Sequence, residues 1–167
     1  MFQREDLVLY GSHGICKIVD LEIKKIDRKQ IEFYVLEPID QSNACYYIPT
    51  QNQTAVAKLR PIITYQELET LLHSQHTYTY EWISDENQRK QLYRELITSG
   101  DRKELVRMVH ALHRHKQEQE LFGRKIHLCD ENFLRDAKKL LDAEFSLVLG
   151  IPENDVGGYI QNAIAGK

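Results

Sequence analysis

The stretch LVLYGSHGICKIVDLEI, residues 7–23, decides the fold of the first part of the chain. It starts with four apolar or aromatic residues, breaks at the turn Gly11-Ser12-His13-Gly14, and resumes as a β-branched run from Ile15. In its last residues apolar and polar side chains alternate, which is the period of a half-buried strand. A short strand, a turn and a longer strand therefore predict the start of an antiparallel sheet.

Further short strands are expected before residue 62. Residues 31–36 follow a polar turn, residues 45–48 form a run that Pro49 ends, and a last strand ends near residues 59–61. Four or five short strands are too few for a two-sheet sandwich, but they can close into a small, strongly bent barrel without exposed edges. We therefore predict an N-terminal SH3-like or Tudor-like β barrel over residues 1–62.

From Thr64 onward the period becomes helical. Thr64 and Glu67 have the spacing of a capping box, in which a threonine oxygen and a glutamate carboxylate satisfy each other's free amides. We assign residues 63–83 to this short helix and a connector, and residues 84–167 to an all-α helical bundle. The fold class is α+β in two domains. The expected bundle helices span residues 84–98, 101–119 (opened by a second capping box at Asp101), 130–149 (capped by Asp130) and 153–164.

Composition indicates a soluble globular protein. The formal net charge is −3, the hydrophobic fraction is 42%, and no apolar run is long enough for a membrane span. The N-terminus lacks the apolar core of a signal peptide, and Cys16, Cys45 and Cys129 fit neither a disulfide framework nor a zinc site. We therefore expect a cytoplasmic location and no membrane partner.

Positive charge is concentrated in residues 84–126, which carry 10 Lys and Arg against 7 Asp and Glu. Within this segment Lys103, Arg107, His110 and Arg114 follow 4-3-4 spacing and so form one stripe along a helix. Such a stripe can follow a phosphate backbone and release its condensed counterions. The alternative is an ordinary solvated helix face with local ion pairs.

Trp82 is the one tryptophan, and it is flanked by Tyr78, Tyr80 and Ile83 at the junction of the two parts. An exposed indole there could stack on an unstacked base. The alternative is that Trp82 packs between the domains, since tryptophan is usually well buried.

The sequence offers little for catalysis or metal binding. His110 and His113 share a helix face, but His115 points away from both and no nearby cysteine completes a tetrahedral set. Phosphate-loop and hydrolase motifs are missing. We therefore expect no enzyme activity, cofactor, metal or small-molecule substrate. A pocket that gathers His13, Cys16 and Cys45 would instead favour an enzyme.

Several motifs, in this order, resemble the CarD/CdnL family of bacterial transcription regulators. The opening from Asp6 to Ile18 is similar to the start of that family, and the Trp82 region is similar to the start of its C-terminal domain. The other matching segments are Tyr34-Val35-Leu36, Tyr46-Tyr47-Ile48-Pro49, Leu59-Arg60-Pro61-Ile62, Arg89, Tyr93, Ser99-Gly100-Asp101 and the helix from Leu105 to Gln119.

The resemblance implies that the barrel binds the β subunit of RNA polymerase, partly by pairing a strand edge, as does the related module of the transcription-repair coupling factor. The matching polymerase-binding residues are Lys24, Tyr47, Ile48 and Pro49. Tyr47 departs from the family, which often has a basic residue there. An aromatic contact would then replace an electrostatic one.

The resemblance also implies that the helical domain contacts promoter DNA beside the melted bubble and stabilises the open complex. The implied DNA-binding residues are Trp82 as a minor-groove wedge and the basic residues Arg89, Lys90, Lys103, Arg107 and Arg114. Binding to DNA alone should be weak and salt-sensitive, and polymerase would hold the protein at the nucleoid. The gap from Trp82 to Ser99 is about one helical turn longer than in the best-known members. The alternative is a protein-interaction adaptor that binds polymerase or another protein without contacting DNA.

Overall fold

The computed structural model describes residues 1–40, 43–75 and 81–166. It divides into two compact units, Met1–Ile62 and Ile63–Lys167. Tyr78 and Tyr80, which the sequence analysis placed beside Trp82, lie outside the described residues.

The first unit contains one five-stranded antiparallel sheet with the strand order β4-β3-β2-β1-β5. Its strands are β1 (Leu7–Tyr10), β2 (Ile15–Ile26), β3 (Lys29–Pro38), β4 (Tyr46–Pro49) and β5 (Leu59–Pro61). The buried core of this unit consists of Val8, Cys16, Ile18, Tyr34, Leu36, Ile48 and Leu59. The predicted hairpin therefore forms, because β1 pairs with β2 across the turn at Gly11–His13.

The hairpin of β2 and β3 bends at one extra residue. Ile18 pairs with Leu36 and Asp20 with Val35, so Val19 is a β-bulge that increases the local twist. At the far end, Asp27 and Arg28 have φ values of 48° and 66°. Two central residues with positive φ match the twist of the flanking strands in a tight hairpin turn.

The sequence predicted a closed barrel, but the structure contains an open sheet instead. Among the strands of the described residues, β4 pairs only with β3 and β5 only with β1, so the sheet stays open. Both edge strands are short and end in a proline, which has no N–H to extend the ladder. The single-turn helix α1 (Gln53–Val56), which the sequence did not predict, follows β4, and Ala55 and Val56 pack against the core.

The second unit is a helical bundle, as the sequence predicted. Its helices are α2 (Tyr65–Ser74), α3 (Glu86–Ser99), α4 (Arg102–Leu121), α5 (Leu128–Leu149) and α6 (Glu153–Ile164). The capping box at Thr64 is present in both directions, and the hydrogen bonds from Thr64 lower the pKa of Glu67. Helices α3 and α5 end at glycines in the left-handed conformation, Gly100 and Gly150.

Two segments belong to the bundle more fully than the sequence indicated. Helix α2, which was predicted as a short helix outside the bundle, places Leu68 and Leu72 in the core of the bundle, and α6 contributes the fully buried Val156. Asp130 is not the helix cap: α5 begins at Leu128, and the Asp130 side chain is completely buried within the first turn of the helix.

Glu144 of α5 joins three parts of the bundle although its side chain is 1% exposed. Its Oε1 accepts a hydrogen bond of 2.8 Å from the backbone N–H of Ile63, just before α2. The Nε of Arg102, at the start of α4, donates to Glu144 Oε2 at 2.8 Å. A buried carboxylate is tolerated only when such donors replace its water.

Replacing Glu144 by alanine should therefore strongly destabilise the bundle. We expect a loss of about 3–5 kcal/mol in the free energy of unfolding, because the partly buried guanidinium of Arg102 and the Ile63 amide lose their acceptor. Urea denaturation followed by circular dichroism measures it. The control is Glu131→Ala on the same helix, where an exposed pair with Lys116 at 3.5 Å is lost and less than about 1 kcal/mol is expected. Equal losses in both variants would contradict this role of Glu144.

Candidate functional site

The open edge of the first unit exposes the backbone of Tyr47. The N–H of Thr50 donates to the carbonyl of Glu32 at 2.9 Å, which sets the alternation of hydrogen bonds along β4. In an antiparallel ladder every second residue turns both backbone groups to the partner strand, so Ile48 bonds to β3 and Tyr47 points the other way. The N–H and C=O of Tyr47 are thus directed to the side where, among the described residues, β4 has no neighbouring strand.

Next to this edge lie two aromatic rings and Lys24, which forms an ion pair with Glu22 at 3.4 Å. The Nζ of Lys24 lies 3.6 Å from the centroid of the Tyr47 ring, within the range of a cation–π contact. Phe33 meets the same ring edge-to-face, with centroids 6.4 Å apart. Phe33 and Tyr47 alternate with the core residues Tyr34 and Ile48, so they lie on the opposite face of the sheet. Tyr47 remains 44% exposed there and is available to a partner.

Two other residues of the implied polymerase set differ in their exposure. Ile48 is 4% exposed and belongs to the core, so its side chain supports the sheet and cannot contact a partner. Pro49 is partly buried, and its carbonyl accepts from the Asn52 N–H at 3.1 Å. We therefore retain Lys24, Tyr47 and Pro49 as the candidate surface of the first unit.

In the second unit Trp82 is half-buried and packs against the bundle core. Its indole stacks on the imidazole of His115 from α4, with centroids 3.8 Å apart and an angle of 9° between the planes. Burial lowers the pKa of His115, which favours the neutral imidazole. Trp82, Ala111, Arg114, His115 and Glu118 line a hollow of about 140 Å³.

Arg89 supports the Trp82 ring from inside the bundle and does not face solvent. It is 3% exposed, and its Nε and NH2 groups donate to the two carboxylate oxygens of Asp130, each at 2.8 Å. Its NH1 group donates to the carbonyl of Ile83 at 2.9 Å, and its Cζ lies 4.6 Å from the Trp82 ring centroid. The hydrogen bonds with Asp130 raise the pKa of Arg89. A guanidinium so enclosed cannot reach a DNA phosphate, so we leave Arg89 out of the candidate DNA surface.

The basic stripe of α4 is only partly exposed. Arg107 donates to the side chains of Gln75 at 2.8 Å and Glu104 at 2.9 Å, which directs its charge into the bundle. Lys103 is exposed, and the Arg114 side chain is 61% exposed beside Glu118. Exposed pairs of this kind contribute little and exchange readily with other partners. On α3, Lys90 forms an ion pair with Glu86.

The remaining candidates, His13, Cys16, possible metal ligands and membrane-spanning helices, add no residue to the candidate surfaces. His13 packs on the rings of Tyr10 and Tyr46, and burial raises the pKa of Cys16 to about 11, which makes its thiol a poor nucleophile at neutral pH. No group of three or more metal-binding side chains is found in the described residues. Over the same ranges, no helix combines the length and apolarity needed to cross a membrane.

Sequence reasoning missed Asp130 and His115 as parts of the Trp82 site. His115 carries a usable signal, because Ala111, His115 and Glu118 have the i, i+4, i+7 spacing of one helix face. Asp130 carries none, since it lies 41 residues from Arg89 along the chain.

Comparison with known proteins agrees with this two-part architecture. Residues 2–63 match the family model of the CarD-like/TRCF RID domain, and residues 68–161 match that of the CarD C-terminal domain. A Bacillus subtilis (strain 168) protein described as "Putative transcription factor YdeB" is 24% identical over 159 residues, covering 95% of this chain and 99% of its own length. The chain therefore belongs to the CarD family, which makes it a transcription-related protein that interacts with RNA polymerase. Both models describe domains of transcription proteins rather than enzymes.

The Arg89–Asp130 pair should control the environment of Trp82. Asp130→Asn leaves the buried guanidinium without its counter-charge, so we expect a loss of about 3–5 kcal/mol in unfolding free energy. In the folded variant we also expect a red shift of the Trp82 fluorescence, because the indole loses support. Asp136→Asn on the same helix is the control, since the Asp136 pair with Arg135 is exposed. An unchanged emission spectrum in folded Asp130→Asn would show that the pair does not position Trp82.

Proposed function

We propose that this protein binds the β subunit of RNA polymerase through the β4 edge and contacts promoter DNA through the surface around Trp82, and that it thereby stabilises the open promoter complex. The observation that carries the proposal is the exposed backbone of Tyr47 beside its Lys24 contact, within a segment that matches the CarD-like/TRCF RID model.

The geometry of β4 favours strand pairing with a partner. An added strand would hydrogen-bond to the N–H and C=O of Tyr47, and main-chain bonds of this kind supply affinity. The Lys24 and Tyr47 side chains stand next to that edge and supply selectivity. Tyr47, where the family often has a basic residue, presents a ring that already holds a cation, so the neighbouring lysine supplies the positive charge.

Substitution of Tyr47 should weaken binding to polymerase. We expect Tyr47→Ala and Lys24→Ala each to raise the dissociation constant for the isolated β subunit about tenfold, as expected when a contact worth about 1.4 kcal/mol is lost. Biolayer interferometry with the full chain measures this constant. Lys25→Ala is the matched control, because Lys25 is the next residue on the same strand and points to the other face. Equal weakening by Lys25→Ala would argue against a local contact.

The surface around Trp82 has the composition of a weak DNA contact. The half-buried indole, with His115 stacked on it and Arg89 over its ring, lies at the rim of the 140 Å³ hollow, and Arg114 provides an adjacent exposed cation. Lys103 lies 11 residues earlier on α4, about 16 Å along the helix axis. Two or three such phosphate contacts give modest, salt-dependent affinity. Attachment to polymerase would raise the effective concentration of this surface at the promoter.

Open-complex lifetime tests this part of the proposal. With matched polymerase on a ribosomal-RNA-type promoter, we expect the wild-type protein to lengthen the lifetime. Trp82→Ala should lose most of that effect while keeping its affinity for polymerase, because a factor shifts the equilibrium only by its differential affinity for the open state. Arg114→Ala should have a partial effect, and Arg135→Ala, an exposed arginine on α5, none. If wild type binds polymerase and leaves the lifetime unchanged, the DNA contact is refuted.

A protein-interaction adaptor is the second candidate, and one observation favours it. Trp82 packs on His115 within its own unit, and Arg89 and Arg107 are bonded to Asp130 and Gln75. The cationic surface left for DNA is therefore smaller than the sequence implied. An adaptor would bind polymerase with the same β4 edge, so the open-complex lifetime distinguishes the two functions.

A further inference from the structure

A cavity of about 470 Å³ opens among helices α4, α5 and α6 of the second unit. Small-molecule sites commonly occupy about 300–1,000 Å³, so this volume suits a ligand rather than a few waters. The residues that line the cavity form an apolar wall and a polar side. Its apolar wall is formed by Val106, Val109, Leu141, Ile160 and Ile164.

The polar side of the cavity is predominantly basic. Arg114 of α4 and Lys138 of α5 line it, together with His110 and His113. Asp142 is the one acidic side chain among the described lining residues; burial raises its pKa, and the nearby charge of Lys138 opposes that shift. Burial lowers the pKa of His110, so the positive charge of the cavity comes from the two permanent cations, Arg114 and Lys138. Two cations beside one half-buried carboxyl favour a negatively charged occupant.

We propose that this cavity binds a small amphipathic organic anion: its carboxylate or phosphate head contacts Arg114 and Lys138, and its apolar body lies on the partly exposed Val109 and Ile160. Arg114 is free to take this role at little cost, because its pair with Glu118 is exposed. The phosphate backbone of DNA has no apolar portion to fill the wall, so the proposed occupant differs from DNA, although both would use Arg114.

A glycine in α6 provides access to the cavity. Gly157 lines it, and a Cβ at this position would lie 4.0 Å from the Nζ of Lys138. At the next residue, Gly158, a Cβ would meet nothing within 4 Å, and Gly158 does not line the cavity. Leucine at either position removes a helix-weakening glycine, so both variants should fold at least as stably as the wild type. Gly157→Leu projects into the cavity and Gly158→Leu does not.

Isothermal titration calorimetry of the full chain with octyl phosphate and octanoate tests the proposal, and octanol serves as the uncharged probe. We expect saturable one-to-one binding of at least one anion, retained in Gly158→Leu and lost in Gly157→Leu. Lys138→Gln should weaken anion binding about tenfold, the effect of losing one charge-assisted contact. Octyl phosphate and octanoate distinguish a phosphate head from a carboxylate head. Thermal melts verify that each variant is folded.

Three results would overturn the proposal. The first is no saturable binding of either anion by wild type, and the second is equal binding by Gly157→Leu. The third is octanol binding as tight as that of the anions, which would make the cavity a purely apolar groove. None of these outcomes depends on polymerase or DNA, so the test is independent of the transcriptional function.

Discussion

The buried ion pair of Arg89 and Asp130 is the interaction on which the candidate DNA surface depends. Its two hydrogen bonds of 2.8 Å join α3 to α5, and the third donor of Arg89 fixes the backbone at Ile83, next to Trp82. A buried charge without its partner costs several kcal/mol of folding free energy, so the loss of either partner should disrupt the local packing. The indole contacts Arg89 and His115 as well as the apolar core of the bundle, so its half-burial depends on the pair and on that core together.

A second buried carboxylate is paired with an arginine near the other end of α5. Glu144 lies 14 residues after Asp130, about 21 Å along the axis, and it accepts from Arg102 and from the Ile63 backbone. Helix α5 therefore carries one buried carboxylate near each end, each neutralised by an arginine from a different helix. These pairs specify which helices meet, whereas the leucines of the core would tolerate several arrangements.

The sequence was informative where structure is local. Strand alternation, the capping box at Thr64 and the helix-ending Gly150 depend on neighbours within a few residues, and the structure contains all three. Barrel closure was not predictable in this way, because it depends on where β4 and β5 end. It also depends on the single-turn helix α1, whose four residues are too few to show a helical pattern. Asp130 illustrates the limit: a carboxylate before an apolar run has the pattern of a cap, and only the distant Arg89 gives it another role.

In the candidate sites too, local features were predictable from the sequence and long-range contacts were not. Tyr47 and Trp82 were identified by resemblance, but their surroundings depend on contacts between distant segments: Lys24 on the ring of Tyr47, and His115 on that of Trp82. Strand parity does separate Tyr47 from Ile48, since adjacent residues face opposite sides. Arg114 lines both the hollow beside Trp82 and the larger cavity of α4, α5 and α6. A ligand in that cavity would compete for the same guanidinium that the proposed DNA contact uses, because one side chain cannot satisfy two anions in different places.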